Sequence, residues 1–221
     1  VLIHRIFHRF ALYPIGYLCV LITSASVVAQ ETDTTVVLFL GNSLTSGHGL
    51  PVHEAYPAQL QIYVDSLQWP VVMVNAGVSG DTSTGGVSRL SWLLERPPDI
   101  LVIALGSNDG LRGLPPSLTK SNLISIIKQS REVNPTMSIV VAGMQVPPNM
   151  GTTYQEEFKA IFPSVASEMN TELIPFLLEG VGGATKLNQS DGIHPTADGQ
   201  RVIAETVWRS LYPVLQKHFS R

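Results

Sequence analysis

The chain has 221 residues, 44% of them apolar and 14% charged, enough to bury one sizeable core and in keeping with a single domain. A formal net charge of -3 and a pI near 6.1 give no field that would gather phosphates, which argues against nucleic acid as a partner. The one cysteine, Cys19, falls in an N-terminal apolar run, so neither disulfides, thiol chemistry nor Cys-ligated metals are expected of the rest of the chain.

His4, Arg5, His8 and Arg9 precede an apolar run from Phe10 to Val28, and the first acidic residue is Glu31. This is the layout of a secretory signal over residues 1–29, with Val27 and Ala29 where a signal peptidase reads and cleavage expected before Gln30. A periplasmic or secreted protein is the expectation. The alternative is an uncleaved anchor, because the run approaches the roughly 18 to 20 residues that span a bilayer. Gly16 and Leu18 do not stand where a lipoprotein signal before Cys19 needs them.

From residue 30 onward, short β-branched or Leu-rich runs alternate with segments of helical period, the pattern of an α/β domain with a parallel sheet. Five strands are predicted: Val36 to Leu40, Val71 to Asn75, Ile100 to Leu105, Ser138 to Ala142 and Glu172 to Phe176. Their near-continuous apolar character predicts burial on both faces. Helices are predicted over Glu54 to Leu67, Gly85 to Leu94, Leu118 to Glu132, Tyr154 to Met169 and Thr196 to Leu215. In the last of these, Val202, Ile203, Val207, Leu211 and Leu215 form one apolar face that should pack on the sheet. Gly106 to Pro116, Gly143 to Gly151 and Gly180 to Ala184 read as loops. The first two follow strands, at the edge where such sheets bind ligands.

Ser43 follows the first strand within Gly41-Asn42-Ser43-Leu44, where it can be presented at the mouth of the sheet. A serine there more commonly caps a helix. A second block changes its standing: Asp191-Gly192-Ile193-His194-Pro195 puts a carboxylate and an imidazole three residues apart. Pro195 biases His194 toward extended backbone and suits the first position of the last helix. Asp191 could then fix the His194 tautomer while His194 takes a proton from Ser43. Acyl transfer also needs donors aimed at the developing oxyanion. Asn75-Ala76-Gly77 and Gly106-Ser107-Asn108-Asp109, at two further strand ends, offer a backbone N–H at Gly77 and an amide at Asn108. With strand order 2-1-3-4-5 these ends are neighbours at the switch point between the first and third strands.

These blocks, Gly41-Asn42-Ser43-Leu44, the Gly77 region, Gly106-x-Asn108-Asp109 and Asp191-x-x-His194, resemble the signature of the SGNH (GDSL-type) hydrolases in order and separation. Asn75 to Ser83 and Asn108 to Gly113 are similar to the bacterial periplasmic thioesterase I/protease I/lysophospholipase L1 group and related arylesterases. The resemblance implies a three-layer α/β/α sandwich, no metal or cofactor, and a shallow site open to acyl esters and thioesters. It implies Ser43 as nucleophile, His194 as base, Asp191 as its partner, and an oxyanion hole from the Ser43 and Gly77 N–H groups and the Asn108 side chain. One departure is Asn42, where the family usually has Asp; Asn can make many of the same turn hydrogen bonds.

His48 and His53 lie close to Ser43 in sequence but lack a carboxylate at matching spacing, and read as loop residues. Asp81 and Asp109 read as turn or cap residues. Leu111 and Leu114 are candidates for one wall of an acyl pocket, with Met144, Val146 and Pro147 for another; core packing is the alternative for each. Small acyl esters are the expected partners of a monomer, with a dimer as the alternative and no stable membrane insertion once the signal is removed. Two other functions are weighed: carbohydrate deacetylation on the same scaffold, and a flavodoxin-like module using Gly41 to Gly49 as a phosphate cradle. That stretch lacks P-loop spacing, and a binding role leaves Asp191 and His194 unexplained. The chain has no G-x-S-x-G and so is not expected to be an ordinary α/β-hydrolase.

Overall fold

The computed structural model describes residues 34–219; the signal-like segment and its expected cleavage position lie outside the described residues. In chain order the elements are β1 (Thr35–Gly41), α1 (Ser43–Ser46), α2 (Tyr56–Ser66), β2 (Val71–Gly77), α3 (Ser83–Leu93), β3 (Ile100–Ala104), α4 (Ser107–Leu111), α5 (Pro116–Val133), β4 (Ser138–Ala142), α6 (Thr152–Met169), β5 (Glu172–Ile174) and α7 (Ala197–Phe219). The strands form one five-stranded sheet in the order β2-β1-β3-β4-β5, parallel throughout. Parallel neighbours need crossovers, and right-handed ones put α2 and α7 together on one face with α3, α5 and α6 in a row on the other. This is the expected three-layer architecture.

β3 runs through the middle and is buried along its whole length, as are Val37, Phe39 and Leu40 of β1 and Val140, Val141 and Ala142 of β4. β2 departs from the expectation of burial on both faces. It is an edge strand with Val72 and Val74 exposed, because no helix covers that side of it. Its open edge is partly closed by a side chain: Gln61 Oε1 accepts the Met73 N–H at 2.8 Å and Gln61 Nε2 donates to the Val71 carbonyl at 2.9 Å. Such occupation blunts an edge against pairing with another chain.

β5 stops at Ile174, two residues short of the prediction, since Pro175 has no N–H for the ladder. α2 begins at Tyr56 with Pro57 in its first turn, after a separate 3-10 turn over Val52–Glu54. α7 starts at Ala197: the Thr196 hydroxyl accepts the Gly199 N–H at 3.2 Å and caps it, which leaves Pro195 ahead of the cap and outside the first helical position. The apolar stripe of α7 is core as expected, with Ile203, Val207, Leu211 and Leu215 fully buried. Two short helices, α1 and α4, stand where no helix is predicted, and both follow strand ends at the carboxyl edge. Register sets that edge: Gly41 lies level with Gly77 on one side and with Ala104 on the other, so whatever follows β1, β2 and β3 meets in one place.

Candidate active site

β1 leads directly into Asn42, which caps α1: its Oδ1 accepts the Leu44 N–H at 3.0 Å while Nδ2 donates to Ser107 Oγ at 2.7 Å. The second bond ties the turn after β1 to the turn after β3, and it is a donation that an aspartate could not make. Ser43 is then the first residue of α1, where a helix N–H has no intrahelical partner. Its side chain is reached from the far end of the chain. An antiparallel bridge between Asn188 and Pro195 closes a loop before α7, and Gln189 N–H donates to the His194 carbonyl at 2.7 Å. Inside this loop Asp191 Oδ1 accepts the backbone N–H groups of Ile193 at 2.9 Å and His194 at 3.0 Å. The carboxylate is thereby fixed beside the imidazole.

Asp191 Oδ2 lies 2.6 Å from His194 Nδ1, and His194 Nε2 lies 3.0 Å from Ser43 Oγ. A carboxylate only accepts, so Nδ1 carries the ring proton and Nε2 is left to accept from the serine hydroxyl. The hydrogen bond from the His194 ring, followed by the two backbone N–H groups, holds the Asp191 carboxyl well below the usual carboxylate range. His48 does not compete as base. Its ring lies beside that of His194, with centroids 4.4 Å apart, and its Nδ1 reaches Ser79 Oγ at 3.3 Å. His53 is exposed on the 3-10 turn.

Asn108 stands on α4 with Nδ2 donating one hydrogen to the Asp81 carbonyl at 2.8 Å; the amide has a second hydrogen to offer. Gly77 does not take the place expected of it. Its N–H is given to Asn75 Oδ1 at 2.9 Å, and a Cβ on it would stand 2.3 Å from Ser46 N and 2.8 Å from Asn42 O. The glycine is needed for β2 to end tight under α1. Beyond it lies a turn closed by Asp81 N–H donating to Val78 O at 3.1 Å, with Gly80 at φ +82 in the left-handed region. That turn borders the site, since Ser79 Oγ is 3.3 Å from Ser46 Oγ. Its closing bond does not use the Gly80 N–H. Ser79-Gly80-Asp81 is itself a turn signal that could have pointed here.

Asp81 and Asp109 support loops as expected. Asp81 pairs with Arg89; Asp109, fully buried, accepts from the Ser83 N–H at 2.8 Å and from the Ser83 and Thr119 hydroxyls. Of the expected pocket residues, Leu111 and Pro147 are exposed and Leu114 is half-buried. Met144 and Val146 are instead core, at 2% and 9% exposure. Val146 is held down beneath Gly110 of α4, so neither forms an open wall. Gly41 to Gly49 is occupied by α1 and its hydrogen-bonded ends, which leaves no phosphate cradle. A cleft of about 620 Å³ lined by Arg131, Thr171, Glu172 and Lys217 opens at the amino ends of β4 and β5, the opposite edge of the sheet from the triad.

The chain also has relatives among known proteins. The profile of the GDSL-like Lipase/Acylhydrolase family matches residues 39–202. The chain is 39% identical over 190 residues to Esterase TesA of Pseudomonas aeruginosa, covering 86% of this chain and 94% of that one. It is 37% identical over 188 residues to Thioesterase 1/protease 1/lysophospholipase L1 of Escherichia coli, covering 85% and 87%. The crystal structure of TesA superposes with a TM-score of 0.78 at 40% identity, over 81% of this chain and 99% of that one.

Proposed function

Because the chain belongs to the GDSL-like lipase/acylhydrolase family, we propose that it hydrolyses carboxylic esters through an acyl-enzyme on Ser43. The observation that carries this reading is the unbroken line Ser43 Oγ, His194, Asp191, with gaps of 3.0 and 2.6 Å. Ser43 Oγ attacks the ester carbonyl as its proton passes to His194 Nε2, and Asp191 stabilises the imidazolium formed. The tetrahedral oxyanion is taken by the Ser43 N–H, the Asn108 amide and the Gly80 N–H, with Gly80 standing in for Gly77. Each such donor is worth about two to three powers of ten in rate. Collapse expels the alcohol, which takes the proton from His194. Water, deprotonated by the same ring, then releases the acid and restores Ser43.

Aryl and alkyl esters of short to medium acyl chains are the proposed substrates, with acyl thioesters and lysophospholipids as further ones. The names of the relatives support this range, and so does the exposed Leu111, three residues after Asn108 on α4. Residues 1–29 are proposed to direct export, on their basic-then-apolar patterning. Among the described residues no helix is long and apolar enough to cross a membrane.

The test is turnover of a p-nitrophenyl ester series from acetate to palmitate. Activity on the shorter chains that disappears in Ser43→Ala is expected. Absence of turnover on every ester, or turnover that survives Ser43→Ala, would overturn the reading.

A further inference from the structure

We propose that Arg89 is a positioning residue for the oxyanion-binding side of this site, acting through Asp81 and Asn108 without touching substrate. The proposal rests on the reading of Asn108 as an oxyanion donor. Arg89 projects from α3 and uses two nitrogens of its guanidinium. Nε donates to Asp81 Oδ2 at 2.8 Å, and Nη2 donates to the Gly41 carbonyl at 2.9 Å. Gly41 is the last residue of β1, two before Ser43. Asp81 in turn accepts Asn108 Nδ2 on its backbone carbonyl at 2.8 Å. One cation therefore spans from the strand that presents the nucleophile to the residue that orients the amide.

The pair is built in. The side chains of Arg89 and Asp81 are only 20% and 11% exposed, so this is not the solvent-screened kind of ion pair that contributes little. α3 makes room for the carboxylate with a glycine: a Cβ on Gly85 would stand 1.7 Å from Asp81 Oδ1. The same turn is pinned a second time, by Arg112 Nη2 donating to the Gly80 carbonyl at 2.8 Å. Two carbonyls of one turn are thus held by residues at α4, and its carboxylate is held by α3. A planar guanidinium fixes two bond directions at once, whereas a lysine ammonium at the same place can satisfy one acceptor well.

The chemical consequence lies in the transition state. Oxyanion donors work at about 2.7 to 3.1 Å from the atom that gains charge, and a misplacement of about 1 Å costs on the order of 100-fold. Loss of the Arg89 fork removes no substrate-facing group but loosens the distance between Ser43 and Asn108. It therefore acts on kcat and spares KM.

The experiment is a double-mutant cycle in the full chain with p-nitrophenyl butyrate, using Arg89→Lys, Asn108→Ala and both together, each first shown by thermal melting to be folded at the assay temperature. Arg89→Lys is expected to lower kcat by about 10- to 100-fold with KM within about threefold of the parent. The double variant should fall short of the product of the two single losses, the mark of a shared route. Asp81→Asn, which removes the ion pair but keeps the guanidinium, is the second variant and covers a failure of Arg89→Lys to fold. It should lose less than Arg89→Lys and show the same shortfall. An unchanged kcat in both Arg89→Lys and Asp81→Asn, or losses that multiply in full with Asn108→Ala, would overturn the proposal while leaving the oxyanion reading intact. A kcat unaffected by Asn108→Ala alone would remove that reading and this proposal together.

Discussion

Gln200 joins three elements from a position almost sealed from solvent, at 1% exposure on α7. Its Oε1 accepts the N–H of Tyr56, the first residue of α2, at 2.9 Å, and its Nε2 donates to the carbonyl of Leu44, next to Ser43, at 3.1 Å. Tyr56 and Leu44 are themselves buried, so water cannot replace either bond. Gln200→Met keeps an unbranched side chain of similar reach and removes both. Each orphaned backbone group costs about 1 to 3 kcal/mol, so the substitution should destabilise by about 2 to 6 kcal/mol. For a chain of this size roughly 2 to 4 °C accompanies each kcal/mol, which puts the melting midpoint about 4 to 24 °C lower. Circular dichroism melts and urea titration with an unchanged m-value would measure this. A midpoint within about 1 °C of the parent would refute the reasoning, because it would mean that both groups find other partners at no cost. The same bonds tie α1 to the helix that follows His194, so kcat should fall with stability.

Three further predictions concern the triad and its surroundings. Asn42→Asp should retain kcat within about threefold, because a carboxylate can still accept the Leu44 N–H and can accept from the Ser107 hydroxyl, which now receives; a loss above about tenfold in ester turnover would contradict this. The depressed pKa of Asp191 means that the ionised carboxylate and its bonds persist above the unfolded value and are lost only as pH falls through the lowered folded one. A carboxyl NMR titration should accordingly show no Asp191 inflection where free aspartate titrates, and Asp191→Asn should lower kcat by about two to four powers of ten by releasing the His194 tautomer.

The sheet order 2-1-3-4-5 came with the family resemblance, and the chemistry-bearing residues at the ends of the first three strands agree with it, because only neighbouring strands let them meet. The Asp191 and His194 pairing was legible for a local reason, since three residues and one Asx turn determine it. What escaped depends on long-range context. An apolar run does not reveal whether its strand is central or at an edge, and so Val72 and Val74 read as core. Gly77 and Gly80 are both plausible backbone donors in sequence. What separates them is the Asn75 side chain, which claims the Gly77 N–H. Met144 and Val146 lie in a loop by pattern and are buried in the structure; for Val146 the cover is Gly110 of α4, a helix that five residues beginning Ser107-Asn108-Asp109 are too short to announce by periodicity. The start of α7 was misplaced by one residue because Thr196 outcompetes Pro195 as the boundary.

The most direct test of the central claim is covalent. Treatment of the folded protein with a fluorophosphonate, followed by peptide mass spectrometry, should give one adduct on Ser43, with esterase activity lost in step and no adduct in His194→Ala on the same timescale. An adduct on another residue, or full activity with Ser43 modified, would contradict the account.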